Sequence, residues 1–251
     1  DAFRGHFSTV SFSAELDWQH GNGTIWAIGR DSYWGTPGLT MSPYLMRVPV
    51  NDGRVGSPEY FAGFEAAQPR FTADPRAASP LYVESRALNQ HTSFTFVPEL
   101  DGGTWVMFYG GHAQWTMRDA ITRFVRPAGD ELFFDRNSGI YVRWSKTPWG
   151  PWSEPRIAFN PYTPGQGGYC EEMYFTDPDG RSGFACPPEN DERNRRLNRI
   201  PALGMAGEYG AALLPGHATR FGDRGVTVRW LMSTWNPYRV VLQSTDILLD
   251  D

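Results

Sequence analysis

The sequence predicts an all-β fold laid out as propeller blades, and three observations carry that expectation. No long stretch repeats its apolar residues at the 3.6-residue helical period. The 251 residues include 27 glycines and 20 prolines, and 15% of the chain is aromatic, with ten tryptophans. That composition favours short strands joined by turns over long helices. The third observation is a weak internal repeat, the mark of an architecture built from similar units.

The first copy is "TVSFSAELDWQHGNGTIWAIGRDSYWG" at 9–35, the second "TSFTFVPELDGGTWVMFYGGHAQW" at 92–115, the third "YGAALLPGHATRFGDRGVTVRWLMSTWNPY" at 209–238. Each places a strand, a turn rich in Gly and Asp or Asn, and a second strand carrying a tryptophan: Trp26, Trp105 and Trp230. A polar and aromatic connection follows, then a third alternating strand at 42–50, 139–148 and 238–246. Fourth strands are expected at 58–63 and within 150–159, and a short helical turn is expected around 62–68. The blades then span 8–70, 88–160 and 208–248, with a loop insertion at 160–207. Antiparallel units of this kind predict a propeller in a single domain, with a sandwich of short strands as the alternative. Three blades fall short of the roughly four to eight that close a ring.

Composition narrows the partners. A net charge of −5 argues against a nucleic-acid surface, which needs a concentrated positive field. The basic cluster "RNRRLNR" at 193–199 follows the acidic "PPENDE" and fits a mixed-charge loop. No run approaches the roughly eighteen apolar residues of a membrane-spanning helix. Cys170 and Cys186 bracket a Gly- and Asp-rich segment. A disulfide there would close a loop of about fifteen residues, worth about 3 kcal/mol in the chain-entropy model. Such a bridge predicts an extracellular or cell-envelope protein; two buried thiols are the alternative. The start at Asp1, with no Met or signal segment, fits a mature or trimmed product. No cofactor is expected. The five histidines lack HxH or HExxH spacing and the cysteines are no CxxC pair, so no metal site is legible. A structural Ca²⁺ held by backbone carbonyls would leave no such signature. GxSxG and Walker motifs are absent.

Two motifs carry a family resemblance. "YGAALLP" followed by "WLMSTWNPYRVVLQS" resembles the C-terminal blade of a five-bladed propeller family, long a domain of unknown function, that includes bacterial endo-D-arabinanases. "GIYVRWSKTPWGPWSEP" looks like the preceding blade and "PYLMRVPVNDGRVGSPEYFAG" like the one before. The likeness spans roughly 40–250 and implies a five-bladed ring to which this chain supplies about three to four blades. The opening "DAFRG" is similar to the tail of the family's "GDTF" motif, whose Asp belongs to the catalytic pair. That match makes Asp1 the carboxylate and puts its partner, with the first blade, upstream. An upstream segment or a second chain would then complete the propeller.

In a propeller the entrance of the innermost strand and the connection between second and third strands share one end, the usual place for ligands. This gathers Asp31, Trp34, His112, Trp115, Trp235 and Asn236 from the connections, with His91, Glu208 and Tyr209 from the entrances. Carboxylates beside flat aromatics suit a carbohydrate, whose C–H faces lie on rings while its hydroxyls take amides, imidazoles and acids. Asp1, Asp31 and Glu208 are the candidate catalytic acids. Trp34, His91, His112, Trp115, Tyr209, Trp235 and Asn236 are the candidate substrate contacts. Glycoside hydrolysis needs two carboxyls, about 5–5.5 Å apart for retention or roughly 6.5–9.5 Å for inversion. The expected activity is cleavage of a furanose polysaccharide, endo-acting on D-arabinan and inverting by resemblance. The alternatives are a carbohydrate-binding propeller without an acid pair and an interaction subunit of an envelope assembly. Each residue also has a structural role open to it: Asp31 as a turn cap, the histidines and tryptophans as packing groups.

Overall fold

A computed structural model describes residues 10–17, 19–30, 42–83, 87–88, 92–112, 139–160, 207–235 and 239–249. For residues 87, 88, 111, 112, 207–209, 234, 235 and 239 only the backbone is described. Among these residues the architecture is all-β, with three antiparallel sheets packed face to face. The first sheet holds β1 (Ser11–Asp17), β2 (Asn22–Arg30), β3 (Pro43–Asn51), the short β4 (Arg54–Val55), β5 (Glu59–Glu65) and β6 (Gln68–Thr72). The second holds β7 (Ala87–Leu88) and β8 (Ser93–Val97), both against β9 (Thr104–His112), then β10 (Gly139–Ser145) and β11 (Arg156–Phe159). The third holds β12 (Gly207–Leu213) and β13 (Thr219–Phe221), both against β14 (Gly225–Trp235), then β15 (Arg239–Leu248). Trp26, Trp105 and Trp230 each lie on the second strand of a sheet, where the repeat predicts them.

Turn chemistry sets the register of the first sheet. Asp52 and Gly53, at φ 51° and 71°, make the two-residue connection that pairs Asn51 with Arg54. That Asp-Gly pair suits a turn needing two left-handed residues. The helical turn expected around 62–68 is not formed. Those residues are the end of β5, a two-residue turn and the start of β6, with Glu65 opposite Gln68. Burial of Phe61 and Ala62 on β5 outweighs the helical propensity of "EAAQ". Ala66 and Ala67 are held at φ 47° and 65°, a conformation costly for residues with a Cβ.

The second sheet turns one face to the first sheet and the other to the third. Between the first and second sheets lie Trp26, Ile28, Leu45 and Phe61 from one side and Phe94, Trp105, Met107, Tyr109 and Tyr141 from the other. Trp105 stacks on Phe94 at 4.6 Å between ring centroids and meets Trp26 edge-on at 6.2 Å. The opposite face of the second sheet, with Val106, Phe108, Ile140 and Val142, packs on Val226, Val228, Trp230 and Met232 of the third. Trp26 thus faces forward along the stack, whereas Trp105 and Trp230 face back, a one-residue offset within an otherwise shared pattern. The middle sheet is covered on both sides.

The "GPWS" stretch clamps the edge of the second sheet. Ser153 N–H donates to the Trp144 carbonyl at 2.9 Å, and Trp144 N–H donates to Ser153 Oγ at 3.1 Å. The turn wedges Trp149 against Trp26 and Phe71, and Trp152 against Phe94. Beneath it, Arg143 is almost fully buried. Its Nε donates to Tyr109 Oη at 3.0 Å, its Nη1 to the Ser153 carbonyl at 2.6 Å, and its guanidinium lies 4.2 Å over the Tyr82 ring. These bonds and the cation–π contact compensate the charge that burial strips of water.

Candidate functional site

The three sheets point the same way. Leu100, in the hairpin before β9, shares one buried cluster with Val226 and Leu249, beside the hairpin before β14, so the hairpin ends of the second and third sheets lie together. Trp26 sits opposite Trp105. Further along, Tyr82 is tied through Leu81, whose N–H donates to the Pro43 carbonyl at 2.9 Å, and Tyr82 Oη contacts Met107 Sδ at 3.2 Å. The order along the first two sheets therefore runs in one sense. β8 also lies beside both β1 and β12, and Leu213 N–H of β12 donates to Ser93 Oγ of β8 at 2.8 Å.

Each sheet consequently has a hairpin end, where first and second strands join, and an opposite end, where β2, β9 and β14 finish. The sequence-derived candidates belong to the opposite end wherever their backbone is described. His112 closes β9, opposite Ala87. Trp235 closes β14, opposite Gly207, and Glu208 and Tyr209 pair with Thr234 and Ser233. These four were expected in loops or entrances. The strands run one to three residues further than the polar residues indicated, because backbone pairing continues whatever side chains a strand end carries. β14 ends at Trp235 and β15 begins at Arg239. Asp1, Asp31, Trp34, His91, Trp115, Asn236, Cys170 and Cys186 lie outside the described residues, so neither a carboxylate pair nor the Cys170–Cys186 bridge is described.

Two buried polar residues flank the stretch that carries Asp31 and Trp34. Arg30, the last residue of β2, is 3% exposed, and Ser42, just before β3, is fully buried. Asn160, following β11, is 8% exposed at the same end of the second sheet. A guanidinium remains charged at any accessible pH, so it supplies this end with a permanent cation. The only sequence signal for it was its place beside Asp31 in "GRDSYWG".

The hairpin end has a different electrostatic character. Hydrogen bonding from the His20 ring at 2.6 Å lowers the Asp17 carboxyl below its ordinary value, helped by the His20 backbone N–H. Lys146, 2.6 Å away, does the same for Asp101, and on an outer loop Arg76 does so for Asp74. All three carboxyls are solvent-facing, where such pairs contribute little to stability. Among the described residues no group of three or more His, Cys, Asp or Glu could hold a metal ion. Among them, too, no helix is long and apolar enough to cross a membrane.

Compared with known proteins, the chain matches no family model, and no curated protein matches it significantly.

Proposed function

We propose that the three sheets are blades of a β-propeller, five-bladed by the family likeness, and that the end opposite the hairpins binds a carbohydrate. The observation carrying this reading is the common orientation of the sheets: the ends of β9 and β14 and the start of β12 bring His112, Trp235, Glu208 and Tyr209 to the same end as buried Arg30. Adjacent innermost strands, successive meanders and face-to-face packing are what a propeller requires.

On this reading the protein is a secreted or cell-envelope glycoside hydrolase acting on a furanose polymer, D-arabinan by resemblance. One carboxyl among Asp1, Asp31 and Glu208 donates a proton to the leaving oxygen, and a second activates water. Arg30 favours the ionised form of any carboxylate that reaches it, a property suited to the base rather than the acid. The test is incubation with D-arabinan and with L-arabinan, watching for released oligosaccharides, using the native protein and its Asp31→Asn and Glu208→Gln variants. Release from D-arabinan that either variant abolishes supports the assignment. Binding without cleavage would instead favour the non-catalytic carbohydrate-binding propeller.

A further inference from the structure

Among the described residues the third sheet ends on β15. In the first sheet β3 is followed outward by β5, and in the second β10 is followed by β11, but among the described residues no strand pairs with the outer side of β15. Its ten residues pair with β14 without a register shift from Arg239 opposite Thr234 to Leu248 opposite Gly225. The direction of its backbone groups follows from β14. Leu214 N–H donates to the Arg229 carbonyl at 2.9 Å, so odd-numbered residues of β14 turn their N–H and C=O toward β12 and even-numbered ones toward β15. Residues 239, 241, 243, 245 and 247 of β15 answer those even-numbered partners. Val240, Leu242, Ser244, Asp246 and Leu248 therefore point their N–H and C=O groups outward.

Such an edge is a template for another strand unless a proline, a lysine or a bulge blunts it. Between 240 and 248 β15 has no proline, lysine or bulge, its one charged side chain, Asp246, accepts a hydrogen bond from Thr227 Oγ1 at 2.6 Å, and Val240, Leu242 and Leu248 are 69%, 60% and 60% exposed. We propose that the edge pairs with β15 of a second copy of this chain, antiparallel about a two-fold axis at Ser244. A two-fold through the sheet keeps like faces together, so even-numbered residues must oppose even-numbered ones. Only the register centred on Ser244 places all five outward-facing residues against one another. It sets Val240 opposite the partner's Leu248, Leu242 opposite the partner's Asp246, and Ser244 opposite its own copy. On the other face it brings Val241 to the partner's Ile247. Five such pairs supply about ten hydrogen bonds, two for each hydrogen-bonded pair. The two apolar pairs, each occurring twice, add side-chain contact.

Light scattering after size exclusion and hydrogen exchange of the β15 amides test this on the whole chain. The expected result is a dimer with protected Val240, Leu242 and Ser244 amides. Ser244→Lys sets two ammonium groups face to face, and Ser244→Pro removes an outward N–H while sparing the bonds to β14. Both should give a folded monomer in which the Val240 and Leu242 amides exchange rapidly. In the Ser244→Cys variant, oxidation should give a covalent dimer whose peptide map shows a 244–244 bridge, since opposed residues about 5.5 Å apart at Cα can be bridged. A monomeric native protein overturns the proposal, whether its edge amides exchange freely or are protected by another part of the chain. A dimer that survives both Lys and Pro substitutions also overturns it.

Discussion

Trp26 and Trp105 come from the second strands of neighbouring sheets and meet edge to face, 6.2 Å between centroids. Each also reaches further, Trp105 to Phe94 and Phe96, Trp26 to Phe71 and Trp149. Two sheets are thereby joined by one continuous aromatic layer. Trp105→Ala should lower unfolding free energy by about 3–5 kcal/mol, the usual cost of emptying a large buried aromatic site. Urea denaturation followed by circular dichroism measures it; a loss below about 1 kcal/mol would mean the layer contributes little.

The β5–β6 turn should be improvable. Replacing Ala66 by Asn and Ala67 by Gly suits the left-handed conformation that both alanines already adopt. The double variant should gain about 1–2 kcal/mol in the same denaturation assay. An unchanged or lowered midpoint would show that the alanines are not strained.

Gly23 allows no side chain. A Cβ there would stand 2.1 Å from the Glu15 carbonyl oxygen, on the paired strand, and φ is 147°. Gly23→Ala should therefore cost about 2–4 kcal/mol, through backbone displacement at the β1–β2 hairpin. Amide exchange should accelerate first in β1.

Acid should weaken the hairpin end. Lys146 holds the Asp101 carboxyl below its ordinary value. A depressed folded value means a contribution present above the unfolded pKa and lost as pH falls through the folded one. Asp101→Asn, which also tolerates the left-handed φ of 45°, should lower the unfolding midpoint slightly near pH 6 and by less as pH falls below the usual carboxylate range. High salt should shrink the difference near pH 6. A gap that persists in acid would assign the effect to something other than this charge.

Strand order was legible where apolar alternation and turn residues agree. The segments around Trp26, Trp105 and Trp230 show this, as does "GIYVRWS", all of which form the strands expected. The hairpin at 66–67 was not legible, because alanine advertises helix and gives no sign of a left-handed turn. Strand ends at His112 and Trp235 were set too early, since polar side chains do not stop a ladder of backbone bonds. Arg30 was missed for a different reason: burial at a strand end is decided by how neighbouring sheets pack, which local sequence does not record. Of the candidate site, the backbones of His112, Glu208, Tyr209 and Trp235 are described, each at the end of a strand.

The middle sheet has no side of its own to give to water. Val106 and Phe108 need the third sheet, while Phe94, Trp105 and Met107 need the first. Cut free of either neighbour, it would expose a slab of aliphatic and aromatic side chains. The middle sheet is therefore no module that can be excised and refolded, and damage to one of its interfaces is felt at the other.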